Sequence, residues 1–168
     1  MATSLYDITV PALLRGLGNL EAVLKKAEGW ASEQGIDPKT LVEARLAPDM
    51  LPLAGQIQRA SDTAKFAAVR LGGVENQPFE DDETSFSDFY ARIARTRAFL
   101  EAAPREGFEG KEEAEVVLKS PGGDRRFRGI EYALGFVLPN FFFHVTTAYD
   151  ILRHKGAPLG KLDYLGRS

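Results

Sequence analysis

The chain has 168 residues, 44% of them hydrophobic and 27% charged, and its 21 basic and 24 acidic side chains give a net charge of −3. This length suits one compact domain over residues 1–168, and the slight negative charge argues against nucleic acid as a partner. The absence of cysteine excludes disulfides and thiolate chemistry, and without a secretory pattern or an apolar run of roughly 20 residues we expect a cytoplasmic protein outside the membrane.

The first predicted element is a long helix from Leu5 to Ala31, because apolar residues recur there at helical spacing for more than seven turns. Pro11 lies inside this pattern and predicts either a kink or a separate first turn, since proline cannot donate the helical hydrogen bond. Gly35 is expected to end the segment. Asp37 and Pro38 then predict a short helix over residues 39–44, with aspartate as its cap.

A second long helix is predicted between Asp49, as its N-cap, and the Gly72–Gly73 stop. Its buried stripe comprises Met50, Leu53, Ala54, Ile57, Ser61, Ala64, Ala68 and Leu71. Gln56 and Gln58 flank that stripe, at about 100° to either side of Ile57. Most buried amides are structural, so Gln56 is either an amide satisfied by a neighbouring helix or part of a site.

Residues 74–83 form an acidic segment, which predicts a solvated linker because its three consecutive acids lack the alternating ligands and the glycine of a calcium loop. Thr84 is expected to cap the third long helix, which should end before Pro104. The opposite side of that helix carries three arginines and predicts a solvated face: Arg92, Arg95 and Arg97.

Between residues 115 and 128 the periodicity changes, and VVLK and RRFR flank the turn sequence S-P-G-G-D. This pattern predicts a small β-hairpin, which must pack on the helices because an isolated hairpin is marginally stable. The last long helix should begin near Asn140, since Pro139 cannot continue a preceding helix, and should end at Gly156. The tail that follows is too apolar to remain free of the bundle.

His144 is the most informative polar residue of the last helix, because it lies in an aromatic segment with Asn140 and Thr147 a turn away on the same side. We predict that it is buried and neutral. His154 lies in the last turn, where positive charge suits the helix C-terminus, so capping explains it better than metal ligation. Together these elements predict an all-α four-helix bundle with a small β-hairpin before the last helix.

Three segments carry a family resemblance: SLYDITVPALLRGLGNL near the N-terminus, ARLAPDMLPLAGQIQRASDTAK at 44–65, and GFVLPNFFFHVTTAYDILRHKGAPLGKLDYLG at 135–166. They resemble an uncharacterised bacterial and fungal family of unknown function that is similar to the DinB/YfiT-like superfamily of four-helix bundles, which are proposed metalloenzymes. The resemblance covers nearly the whole chain. It implies the bundle fold.

In that superfamily a divalent metal, often nickel or zinc, is held by one histidine on the second helix and by an H-x-x-x-H pair on the last, and some members transfer low-molecular-weight thiols. Matched to this sequence, the pair falls on His144 and Ala148, and the helix-two histidine falls on Gln56, or on Gln58 if the register slips. One ligand of three is present, whereas zinc or nickel normally needs about three protein ligands. We therefore expect no bound metal and no cofactor.

Three functional interpretations follow. The first is a metal-free bundle that binds a small molecule in a polar pocket at the ancestral metal position. That pocket would be lined by Gln56, His144, Thr147, Tyr149, Asn140 and Asp49. The second is an interaction protein that works as a homodimer, with the apolar tail or the hairpin at its interface. The third is a metal-dependent enzyme that draws its missing ligands from amides, carboxylates or a partner subunit.

Overall fold

A computed structural model describes residues 4–166, and this part of the chain is mostly helical with one antiparallel pair of strands. The elements in chain order are α1 (Leu5–Glu33), α2 (Pro38–Val42), α3 (Leu53–Gly72), α4 (Phe86–Glu101), a 3-10 turn (Arg105–Phe108), β1 (Glu115–Leu118), β2 (Arg125–Arg128), α5 (Gly129–Tyr132), a π turn (Ala133–Val137), α6 (Leu138–His154) and α7 (Lys161–Leu165). The long helices α1 and α3 each pack against both α4 and α6. This arrangement confirms the predicted four-helix bundle with a hairpin before the last long helix. The predicted domain limits, residues 1 and 168, lie outside the described residues.

Two of the long helices begin with a capping box, in which a serine hydroxyl and an aspartate three residues later satisfy each other's backbone amides. Ser4 and Asp7 form the box of α1, and Ser85 and Asp88 form that of α4. The predicted cap of α4, Thr84, is therefore wrong by one residue. Its backbone amide instead donates to the Asp88 carboxylate at 3.0 Å.

The prediction that Asp49 caps α3 is wrong, because α3 begins at Leu53 with Pro52 in the N-cap position. Proline disfavours the helical conformation in the residue before it, which favours a helix start at Pro52 over a helix that runs from Asp49 through Leu51. Asp49 is exposed in the segment that precedes the helix. The predicted stop is confirmed, since Gly73 ends α3 with a positive φ of 68°.

Prolines inside the first and last long helices do not divide them as predicted. Helix α1 runs through Pro11 without a separate first turn, and the proline ring is exposed. At the other end of the chain, α6 does not start at a cap on Asn140. Helical backbone runs on from α5 through the π turn and past Pro139. The wider π turn directly before Pro139 relieves the clash between a proline ring and the carbonyl four residues earlier.

The predicted hairpin is confirmed, and its four residue pairs run from Glu115 opposite Arg128 to Leu118 opposite Arg125. Its second strand places Phe127 against Tyr132 and Phe136, with ring centroids 5.9 and 6.1 Å apart. Tyr132 and Phe136 stack on each other at 5.6 Å. This aromatic group attaches the strands to the start of the last helical segment, as the marginal stability of a lone hairpin requires.

Aliphatic and aromatic side chains from all four long helices form the core, and the tail after α6 adds the buried residues Ala157 and Leu159. The tail therefore packs on the bundle, as its apolar composition predicted. Within residues 4–166, no helix is long and apolar enough to cross a membrane.

Candidate functional site

A polar pair joins α3 to α6 at the position that the sequence singled out. The Nδ1 atom of His144 lies 2.8 Å from Oε1 of Gln56, and the Gln56 side-chain Nε2 donates to the carbonyl oxygen of Leu51 at 3.0 Å. Gln56 is only 2% exposed, whereas His144, which the sequence predicted to be buried, is partly buried. Both the NH₂ group and the oxygen of the Gln56 amide therefore have hydrogen-bond partners.

The two contacts of Gln56 determine the protonation of the histidine. Because the amide NH₂ must face the Leu51 carbonyl, the amide oxygen faces the imidazole and can only accept. The proton of neutral His144 is therefore on Nδ1, and Nε2 carries a free lone pair. In the part of the chain that the structure describes, no side chain or backbone group donates to this Nε2.

Burial lowers the pKa of His144 below its ordinary value of 6.5, and the positive charge of nearby Arg59 lowers it further. At pH 7 the imidazole is therefore neutral. The ring of Phe143 lies edge-on to it, with centroids 5.2 Å apart, and Phe143 is 55% exposed. The site thus presents a neutral hydrogen-bond acceptor next to an exposed aromatic face.

Two other predicted site residues lie on the same side of α6, and each already has a hydrogen-bond partner. Asn140 Nδ2 donates to Oγ1 of Thr63 at 2.7 Å, which makes a second polar bridge between α6 and α3. The hydroxyl of Thr147 is buried and donates to the carbonyl of Phe143 at 2.7 Å, within its own helix. Of these two, only Asn140 extends the polar contact between the helices.

The remaining predicted site residues lie elsewhere. Asp49 is exposed in the segment before α3, and Tyr149 packs edge-on against Tyr164 of α7, with centroids 5.9 Å apart. Five residues along a helix turn the side chain by about 140°, so Tyr149 and His144 face different neighbours. Gln58 Nε2 donates to the Glu83 carboxylate at 2.9 Å, away from His144.

The donor set at His144 does not fit a transition metal. The position one turn later is Ala148, which is fully buried and offers only a methyl group, and the amide of Gln56 is a neutral oxygen donor that zinc and nickel disfavour. Across residues 4–166, no group of three histidine, cysteine, aspartate or glutamate side chains is placed to hold a metal ion.

Sequence reasoning missed a buried ion cluster on α4. The prediction of a solvated arginine face is wrong for Arg92, whose side chain is 2% exposed and pairs with Glu83 at 2.7 Å and with Asp62 at 3.0 Å. It also contacts Asp81 at 3.0 Å. Its Nε is a buried atom without a hydrogen-bond partner among the described residues. The signal in the sequence was the acidic run at 81–83, placed just before a helix that carries three arginines.

The acidic segment is consequently not a free solvated linker. Backbone carbonyls of Gln77 and Glu80 accept from Lys65 Nζ at 3.0 Å and Arg92 Nη1 at 2.9 Å. The ring of Phe79 makes cation–π contacts, with the Arg95 guanidinium 3.9 Å and Lys65 Nζ 4.7 Å from its centroid. Cations on α3 and α4 therefore hold the segment by its backbone, its acids and its aromatic ring.

Several cavities in the described part of the chain, three of which follow, lie apart from the Gln56–His144 pair. A groove of about 460 Å³ runs between the acidic segment and α4, one of about 330 Å³ lies between α2 and the start of α3, and one of about 250 Å³ lies between α1, α6 and α7. Neither Gln56 nor His144 lines any of these three. The pair therefore lies outside these cavities, and its imidazole is partly exposed.

A bundle whose second and last long helices meet at a polar pair, with a hairpin before the last helix, is a four-helix bundle of the DinB-like class. The chain belongs to the family described as Domain of unknown function (DUF1993), whose model matches residues 5–165. This match confirms the resemblance drawn from the sequence.

One solved structure to which the chain is similar is a DinB family member protein from Shewanella denitrificans. The two are 38% identical, with a TM-score of 0.89, and the similarity covers 98% of this chain and 93% of the other. A comparison with curated protein sequences finds no match. The comparisons therefore give the family and the fold.

Proposed function

We propose that this protein binds a small polar organic molecule at the Gln56–His144 pair, through hydrogen bonds rather than metal coordination. The observation that carries the proposal is the orientation of His144. Gln56 accepts the Nδ1 proton, so Nε2 is an acceptor with a lone pair and without a described partner. An imidazole held in this way binds a ligand that donates a hydrogen bond from a hydroxyl, an amide or a thiol.

The surroundings of the pair support binding more than catalysis. Phe143 offers an exposed aromatic face next to the imidazole, which suits the apolar part of a small ligand. The neighbouring hydroxyl of Thr147 donates to its own helix, so the site lacks the nucleophile that a histidine base would activate. A polar acceptor beside an apolar face is a common arrangement for ligand orientation.

The test uses ¹⁵N-labelled protein and two matched probes, phenol and its methyl ether anisole. We expect the His144 ring to show the Nδ1–H tautomer and to titrate below pH 6.5, because burial disfavours its charged form. Millimolar phenol should shift the Nε2 resonance, whereas anisole, which cannot donate, should leave it nearly unchanged. Phenol should also shift the backbone amides next to position 144, and these shifts should be lost in a His144→Phe variant, which keeps an aromatic ring but has no Nε2 acceptor.

The control is His154→Phe, since His154 is exposed in the last turn of α6 and has no part in the proposed site. A ring that titrates near pH 6.5 as a mixture of tautomers would contradict the orientation. Equal responses to phenol and anisole would contradict recognition by Nε2.

We propose, as a second candidate, that the protein works as a homodimer through α7. On this helix Leu162 is 72% exposed and Leu165 is 41% exposed, and their spacing of three places them on one face. Exposed apolar faces of this kind are typical of interfaces. Sedimentation at tens of micromolar should show a dimer for the natural protein and a monomer for Leu162→Ser, while Leu134→Ser, an exposed leucine outside α7, should not change the assembly. A monomeric natural protein would remove this candidate.

A further inference from the structure

The cavity of about 250 Å³ between α1, α6 and α7 has properties that the Gln56–His144 site does not share. Its walls are mostly apolar and are formed by Ala12, Gly16, Phe142, Val145, Tyr164 and Leu165. Small-molecule sites occupy roughly 300–1,000 Å³, so this cavity suits a ligand with few heavy atoms. A short hydrocarbon chain or a single ring matches both its size and its lining.

One end of the cavity carries a cation that has no ion-pair partner among residues 4–166. Arg15 lines the cavity, and its Nη2 donates to the backbone carbonyl of Leu165 at 3.1 Å. Within residues 4–166, no carboxylate forms an ion pair with Arg15, and none lines this cavity. The other polar lining residue is Asn19, which is neutral and donates to the carbonyl of Tyr164 at 3.1 Å. Among the described residues, the cavity therefore combines an apolar interior with one guanidinium that no carboxylate neutralises.

The wall formed by α7 contributes no fully buried residue to the core, and only Tyr164 of this helix packs against it. Besides the bonds from Arg15 and Asn19, Lys26 pairs with Asp163 at 2.8 Å, and the Thr146 hydroxyl donates to the Tyr164 hydroxyl at 3.0 Å. The wall at α7 is therefore held by side-chain contacts at the surface of the bundle and by the ring of Tyr164.

We propose that this cavity binds a small amphipathic anion, a carboxylate with a short apolar chain. The chain would occupy the space beside Phe142 and Val145, and the carboxylate would accept hydrogen bonds from the Arg15 guanidinium. Arginine recognises carboxylates through paired N–H donors, and such charge-assisted bonds are stronger than neutral ones. The site does not depend on His144, which contacts α3 rather than the cavity.

The test measures binding of octanoate to the full chain by ¹H–¹⁵N correlation spectra, with 1-octanol and octylammonium as probes of the same chain length. We expect octanoate to shift the amides of Ala12, Val145 and Leu165, 1-octanol to bind more weakly, and octylammonium to bind least. Arg15→Gln should weaken octanoate binding by about tenfold, the effect of a charged hydrogen bond, and should leave 1-octanol binding unchanged. Arg15→Lys should keep part of the preference for the anion.

Arg45→Gln is the matched control, because Arg45 is also exposed and donates to a backbone carbonyl, that of Met50 at 2.9 Å, but lies outside this cavity. Ala12→Leu should abolish binding of both octanoate and 1-octanol by filling the space, and dispersed spectra will verify that this variant folds. Octylammonium binding as tight as octanoate binding, an Arg15→Gln variant with unchanged affinity, or shifts confined to other helices would each overturn the proposal. So would the absence of any octanoate binding.

Discussion

Replacing Arg92 with alanine is expected to lower the free energy of unfolding by about 3–5 kcal/mol, the usual effect of removing one partner from a buried ion pair. The substitution leaves Glu83, whose side chain is 8% exposed, and Asp62 without the cation that both contact. It also releases the carbonyl of Glu80, which accepts from Arg92. Urea denaturation followed by circular dichroism measures the loss.

Arg95→Ala is the matched control for this substitution. Arg95 lies one turn further along α4, is exposed, and contacts Phe79 and the carbonyl of Pro78 from the solvent side. Its removal should cost about 1 kcal/mol or less. The loss of unfolding free energy for Arg92→Lys should lie between those for Arg92→Ala and Arg95→Ala, because lysine keeps the charge but not the planar set of donors. Equal losses for the Arg92 and Arg95 variants would show that the cluster does not stabilise the fold.

Replacing Phe141 with alanine is expected to cost about 3–5 kcal/mol, the usual range for removing a fully buried aromatic ring. Phe141 is fully buried, and its ring lies directly over the backbone of α1 at Gly16. A side-chain carbon added at Gly16 would lie 2.4 Å from the Phe141 ring, so the two helices approach closely at this point.

Phe143→Ala is the control, since this neighbouring phenylalanine is 55% exposed and its removal should change stability by about 0.5 kcal/mol or less. Thermal and urea unfolding of the two variants, compared under the same conditions, measure the difference. A loss below about 1 kcal/mol for Phe141→Ala would contradict the close packing of α1 on α6.

Features that depend on neighbours in sequence were predictable. The Asp37 cap, the Gly73 stop and the hairpin turn each follow from a few adjacent residues, and the structure contains all three. The start of α6 was not predictable, because Pro139 indicates a boundary, whereas the helical backbone continues through a π turn and past this proline. Arg92 was missed for a similar reason, since its partners come from a loop and another helix.

The candidate site was likewise predictable from the sequence only in part. His144 and Gln56 were paired by resemblance to a bundle in which their positions face each other, and the structure joins them by a hydrogen bond. Tyr149 was included for its chemistry, but its direction depends on the rotation of α6, which carries it to α7. Helical spacing orders residues around one helix, and it does not determine which neighbour each side meets.

The π turn has a consequence for how the last helical segment meets α3. In a regular α-helix the twelve residues from Tyr132 to His144 would place the two side chains about 120° apart. The extra residue of the π turn reduces this angle to about 20°. Both side chains can therefore face the same neighbour: the Tyr132 hydroxyl accepts from Arg70 of α3 at 2.8 Å, and His144 bonds to Gln56 of α3. The residue inserted by the π turn thus lets the last helical segment form hydrogen bonds near both ends of α3.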